Sequence, residues 1–174
     1  MNLFKKSLVT SLFIAFVTVV SAQESNNGKK LWAKSILNQK APKLEVEEWL
    51  SDKPNTEGKF VLVDFWATWC GPCIRLIPKL NDWHKAYGDK LVIVGLSDET
   101  AEKVKSADQI KIDYYSAIDT KKILKNGLEV KGIPHCILID PKGNVIWEGF
   151  PTLTGHELTK EVLENLMNKY STTK

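Results

Sequence analysis

The chain has 174 residues, 43% hydrophobic and 26% charged, with 24 Lys and Arg against 21 Asp and Glu. This is the make-up of an ordinary folded domain, and it excludes a disordered, collagen-like or coiled-coil chain. A net charge of +3 is too small for a nucleic-acid binder, and three cysteines are too few for a disulfide-stapled mini-fold.

Residues 1–22 read as an export signal. Lys5 and Lys6 precede an apolar run from Leu8 to Val20, and Ser21-Ala22 offers small residues to signal peptidase. This run of thirteen residues, broken by Thr10, Ser11 and Thr18, falls short of the ~20 that a membrane span needs, so cleavage is the first reading and a retained tether the second. Cleavage after Ala22 removes two lysines and no acid, leaving 152 residues with a net charge of +1. The expected destination is outside the cytoplasm, the periplasm above all, where disulfides persist.

Residues 23–37 are expected as a flexible lead-in and 38–170 as the folded domain. Asn38 to Trp49 reads as an edge strand or irregular cover, and Asp52 to Gly58 as a turn. Phe60 to Trp66 is a nearly continuous apolar run of strand length, as in a strand buried on both faces. Beyond Cys73 the apolar spacing becomes helical (Ile77, Leu80, Trp83, Tyr87), with Pro78 inside and Gly88 at the stop. Leu91 to Leu96 is a second buried strand. Ser97 to Gly127 holds a charged helix, a short strand at Tyr114 to Ile118 and a helical piece begun at Asp119. Cys136 to Ile139 and Val145 to Trp147 form a hairpin around Pro141-Lys142-Gly143-Asn144. Thr154-Gly155-His156-Glu157 has the pattern of a capping box before a last helix striped by Leu158, Val162, Leu166 and Tyr170. The order of elements implies an α/β fold, a mixed central sheet with helices on both faces.

The chemistry centres on Cys70-Gly71-Pro72-Cys73, between a strand and a helix. A thiol at a helix start faces free backbone N–H groups that favour the thiolate, so Cys70 is the expected nucleophile. Cys73, one turn in, is placed to resolve a mixed disulfide at Cys70, and the spacing allows a Cys70–Cys73 disulfide. Pro72 suits the first helical turn, where its missing N–H costs nothing. Asp64, mid-strand in an apolar run, is a costly carboxylate, held protonated by burial and read as the proton acceptor for Cys73. Ile133-Pro134 precedes a strand, where a proline can be cis. Trp66 and Trp69 flank the cysteine pair.

Val61 to Cys73 closely resembles the thioredoxin active-site segment, and Gly132-Ile133-Pro134 resembles its cis-proline loop. With an N-terminal strand around Ala41-Pro42 and an insert before the cis-proline, the chain is similar to exported TlpA/ResA-type thiol–disulfide oxidoreductases over roughly Asn38 to Met167. The resemblance implies a thioredoxin-like fold with catalytic Cys70, Cys73, Asp64 and Pro134. It implies a substrate-binding surface at Trp69, Gly71, Pro72 and Ile133, where the backbone pairs with an incoming polypeptide. One departure is the lysine that thioredoxin places near its buried acid, for which Val94-Gly95-Leu96 offers no counterpart.

Cys136 lies two residues past Pro134 and reads as a core thiol; a redox or ligating role with His135 is the sharper alternative. His84 and His156 are expected on helices, away from any catalytic group. No metal and no cofactor are expected, since the cysteine pair itself carries the electrons. The function expected is a protein-disulfide reductase, because Gly71-Pro72 is the dipeptide of reducing thioredoxins. It is expected to be a monomer that draws electrons from a membrane thiol donor and does not bind nucleic acid. Substrates would be apocytochrome cysteines, as in cytochrome c maturation, or misoxidised proteins. An oxidase or isomerase and a thioredoxin-like metallochaperone are the alternatives.

Overall fold

The computed structural model describes residues 31–171, and the expected export signal at 1–22 lies outside them. Within the described residues a six-stranded sheet runs in the order β1-β4-β3-β2-β5-β6. Its strands are β1 (Glu48–Trp49), β2 (Phe60–Trp66), β3 (Leu91–Ser97), β4 (Tyr115–Ile118), β5 (His135–Ile139) and β6 (Val145–Gly149). β2 pairs in parallel with β3, and β3 with β4; β2–β5, β5–β6 and β1–β4 are antiparallel. The expected mixed sheet is therefore present. Its two central strands β2 and β3 are buried along their whole length, which is why they read as unbroken apolar runs.

Alternation along β2 sorts its side chains into two layers. Leu62 and Trp66 join the core formed by helix α1 (Gly71–Tyr87) and helix α4 (Lys160–Tyr170). Val61, Val63 and Phe65 join the opposite core, which includes Ile36 and Leu124 of the short helix α3 (Ile123–Gly127). Asp64 shares the α1 side with Leu62 and Trp66.

The N-terminal stretch expected as flexible lead-in docks from Trp32 onward. Lys34 N–H donates to the Leu128 carbonyl at 2.8 Å and Lys131 N–H to the Trp32 carbonyl at 2.8 Å. Glu148 of β6, buried, accepts from Ile36 N–H at 2.9 Å and from the Ser35 hydroxyl. The chain bridges to Asn144 at Lys40 and then crosses the sheet face to add β1 at the far edge. Ala41 and Pro42 are therefore irregular cover and not the expected strand, and the edge strand forms later, at Glu48–Trp49.

Two helix boundaries depart from the sequence reading. α4 starts at Lys160, capped by Thr159, whose hydroxyl accepts from Val162 N–H at 3.1 Å. The Thr154 tetrapeptide forms a turn instead, because Gly155 takes a left-handed φ of 80°. His156 therefore lies in that turn and not on a helix. The buried side chains of α4 are Leu163 and Met167, with Val162, Leu166 and Tyr170 packed at the margin. Asp119 does not begin α3; its carboxylate reaches forward to accept from Leu124 N–H at 3.1 Å. The charged stretch in the insert is a single short helix, α2 (Ala101–Lys105), capped by Thr100.

Candidate active site

β2 ends at Trp66, and a three-residue turn carries the chain into α1, with Cys70 as its N-cap. The Cys70 sulfur accepts from Cys73 N–H at 3.3 Å, so the sulfur occupies the place a capping oxygen ordinarily takes. A negative charge there is favoured by the free N–H groups of the first turn. Cys70 and Cys73 form a disulfide with 5.2 Å between their Cα atoms. Cys70 retains 3% of its surface and Cys73 none, so of the two residues only the first reaches the surface at all. Trp69 beside it is 70% exposed. The approach loop is held from the insert, because Glu99 accepts from Thr68 N–H at 2.6 Å and from the Thr68 hydroxyl at 2.8 Å.

The Ile133–Pro134 peptide bond is cis, as the residues predicted it could be. Pro134 is buried and Ile133 half-buried, at the start of β5. Gly132 before them is closely covered: a Cβ would sit 3.1 Å from the Phe150 ring, which would have to give way, and in ordinary contact with Trp32 Cβ at 3.6 Å. Trp32 and Phe150 meet edge to face with ring centroids 4.7 Å apart. The extension thus supplies an aromatic flank to the cis-proline loop that the sequence reading did not foresee.

Asp64 is wholly buried, and burial pushes its carboxyl up to about 7. Its strand neighbours are Gly95 on β3 and Cys136 on β5. Cys136, read from the sequence as an inert core thiol, donates its S–H to Asp64 Oδ1 at 3.3 Å. The register of the β2–β5 pair brings these two together, and counting back from Pro134 on an antiparallel partner was the available signal.

The gap where a lysine was sought is filled by rings. A Cβ on Gly95 would lie 3.0 Å from Tyr114 Cε2 and 3.1 Å from Trp66 Nε1, so glycine lets both rings pack closely on β3 beside the acid. Tyr114 brings its buried hydroxyl toward Asp64 without a hydrogen bond of ordinary geometry. Burial, reinforced by the Asp64 charge, pushes both the Tyr114 phenol and the Cys136 thiol well up, so both stay protonated donors.

His135 and Cys136, adjacent on β5, face opposite ways: Cys136 joins the α1 core while His135 packs near Phe65 and Phe150. Among the described residues no three His, Cys, Asp or Glu side chains gather where a metal ion could be held. His84 packs edge-on against Tyr115, away from the cysteines.

The profile of the thioredoxin-like family matches residues 58–145. The thioredoxin-like protein YneN of Bacillus subtilis is 30% identical over 132 residues, covering 71% of this chain and 77% of that one. The thiol-disulfide oxidoreductase ResA of Bacillus cereus is 37% identical over 116 residues, 65% of this chain; the match spans 64% of the ResA length. Among solved structures, the thioredoxin domain of a thiol-disulfide oxidoreductase from Bacteroides vulgatus superimposes with a TM-score of 0.53 at 29% identity. That match covers 66% of this chain and 81% of that one.

Proposed function

The chain belongs to the thioredoxin-like family of thiol–disulfide oxidoreductases, and from that premise we propose that it works outside the cytoplasm as a reductase of protein disulfides. The observation that carries the reading is the Cys70–Cys73 disulfide at the start of α1, with Cys70, the less buried of the two, next to the exposed Trp69.

In the proposed cycle the Cys70 thiolate attacks one sulfur of a substrate disulfide. A Cys70–substrate bond forms, the substrate bond breaks, and the leaving sulfur takes a proton. Cys73 then gives its proton to Asp64 and attacks Cys70. The Cys70–Cys73 bond closes, and the second substrate sulfur departs as a thiolate that takes up a proton. Two electrons and two protons have moved from the enzyme dithiol to the substrate. Trp69, Gly71, Pro72 and Ile133 line the surface on which the polypeptide lies, and the backbone beside Pro134 pairs with it as a short strand.

Reduction is favoured over oxidation because Gly71-Pro72 is the dipeptide of reducing thioredoxins, whose potential is about −270 mV, against about −120 mV for the oxidant DsbA. A reductase outside the cytoplasm needs electrons, and a membrane thiol protein is the proposed donor to a monomer of this chain. Apocytochrome cysteines and misoxidised proteins are the proposed substrates. The reading of residues 1–22 as an export signal supports the location. Among the described residues no helix is long and apolar enough to cross a membrane.

The test is the redox potential of the purified couple, with insulin reduction and the Cys70 pKa. A potential below about −200 mV and a Cys70 pKa under about 8.5 are expected. A potential above about −150 mV makes the protein an oxidase or isomerase. Insulin reduction that survives Cys70→Ser refutes the nucleophile.

A further inference from the structure

Asp64 has two oxygens in different situations. Oδ1 accepts the Cys136 thiol at 3.3 Å, whereas Oδ2, equally buried, has no hydrogen-bond partner. A buried oxygen without a donor is expensive for a carboxylate and inexpensive for a carboxylic acid, whose hydroxyl can sit there. The two oxygens are therefore not equivalent as proton sites. Oδ1 is occupied by a donor, and a proton arriving there would meet the Cys136 hydrogen.

We propose that Cys136 is a positioning residue for this acid: its thiol anchors Oδ1, stabilises the ionised carboxylate, and leaves Oδ2 as the oxygen that receives the Cys73 proton. The inference rests on the reading of Asp64 as proton acceptor and adds to it the residue that sets when Asp64 is ready to accept. No new bond between heavy atoms is involved. The Cys73 proton moves to Oδ2, the Cys73 thiolate attacks Cys70, and Cys136 keeps its own hydrogen throughout.

The groups that face this cluster are few. β5 contributes Cys136, β3 only Gly95, and the segment before β4 contributes Tyr114. α1 contributes Cys73, which shares the core that holds Cys136, and Lys79; the Lys79 ammonium donates to the Leu158 carbonyl at 2.7 Å and acts on Cys136 through its charge, with Glu157 acting in turn on Lys79. Tyr114, held over Gly95, is the second donor near the carboxyl, but it reaches neither oxygen with hydrogen-bond geometry. The one formed hydrogen bond to Asp64 is thus the thiol's, and its loss removes more stabilisation from the charged form than from the neutral acid.

Two measurements test this. In the oxidised protein Cys70 and Cys73 are tied together, so Cys136 carries the only S–H of the chain. The infrared S–H band of the oxidised wild type is expected to shift to lower frequency as pH is raised through 7, because the acceptor becomes an anion. A band that does not move between pH 5 and pH 9, or that moves equally in Asp64→Asn, overturns the proposal. The second readout is the rate at which Cys73 expels thionitrobenzoate from a mixed disulfide preloaded on Cys70, followed against pH. Cys136→Ala is expected to move the acid limb of that profile upward by about half a pH unit or more, the worth of one ordinary hydrogen bond, a thiol being a weak donor. At pH 6 the rate then falls about threefold or more, while Cys136→Ser, which keeps a donor, restores the wild-type limb. A limb unchanged in Cys136→Ala but absent in Asp64→Asn refutes the role of Cys136 and leaves the proposed function intact. A limb that persists in Asp64→Asn refutes Asp64 as the acceptor itself.

Discussion

Replacing Asp64 with Asn should make the oxidised protein more stable, and by an amount that depends on pH. The carboxyl is held to about 7 in the folded protein against 3.8 as its ordinary value, with burial as the main cause and the Cys136 and Tyr114 donors opposing it. The folded state therefore keeps a proton over a range in which the unfolded state has released it. Stability contributed by the neutral acid is full below about pH 4 and is lost progressively as pH rises to about 7; above that the loss is complete. At about 1.4 kcal/mol per pH unit, a gap of roughly three units corresponds to a loss of at most about 4 kcal/mol. Asn has nearly the same shape and no charge to bury. Urea unfolding of the two oxidised proteins between pH 4 and pH 8.5 should give similar midpoints at the acid end, with the variant pulling ahead as pH rises. A difference that stays flat across this range would show that Asp64 ionises without penalty, and the account of its burial would fail.

Three further outcomes follow from packing and hydrogen bonding. Gly95→Ala places a Cβ at 3.0 Å from Tyr114 and 3.1 Å from Trp66 Nε1, and overpacking of this kind should cost about 1–3 kcal/mol in urea unfolding. Near-UV circular dichroism should report the displaced rings, and an unchanged spectrum would contradict the close approach. Glu99→Ala removes both acceptors of Thr68, so the Thr68 amide should lose protection from hydrogen exchange by about 1–3 kcal/mol; unaltered protection would mean the loop is held by something else. Trp32→Ala removes the edge contact at 4.7 Å with Phe150, and should lower stability by about 1–2 kcal/mol. It should also raise KM for a peptide disulfide without changing the rate with a small disulfide, and equal effects on both would argue against a flanking role.

The cysteine pair, the buried acid and the cis-proline were legible because each breaks a local rule: two reactive thiols at a helix start, a carboxylate inside an apolar strand, a proline where a ladder donor is due. The strands β2, β3 and β5 were legible because their burial leaves an apolar run. What stayed hidden depends on register and on distant segments. Cys136 looked like a core residue because nothing in its own neighbourhood marks it; only the pairing of β2 with β5 sets it opposite Asp64. Tyr114 and Glu99 act from the insert across the sheet, and composition does not encode such distances. The start of α4 was misplaced because Thr154 and Thr159 both have capping chemistry, and the left-handed Gly155 decides between them. The docking of Trp32 was missed because polar residues around it suited a loose lead-in.

The division of β2 into two layers has a consequence for how this protein tolerates change. Its odd-numbered side chains at 61, 63 and 65 serve only the far core, while its even-numbered ones at 62, 64 and 66 build the surroundings of the disulfide. Redox chemistry is thus encoded in the parity of a strand whose composition looks uniform. Inserting or deleting one residue ahead of Asp64 would leave an equally apolar strand, yet would turn the acid toward the side that holds no cysteine. A change of length is better borne in the turn before Phe60, whereas from Phe60 to Trp66 the count of residues decides which side of the sheet the acid faces.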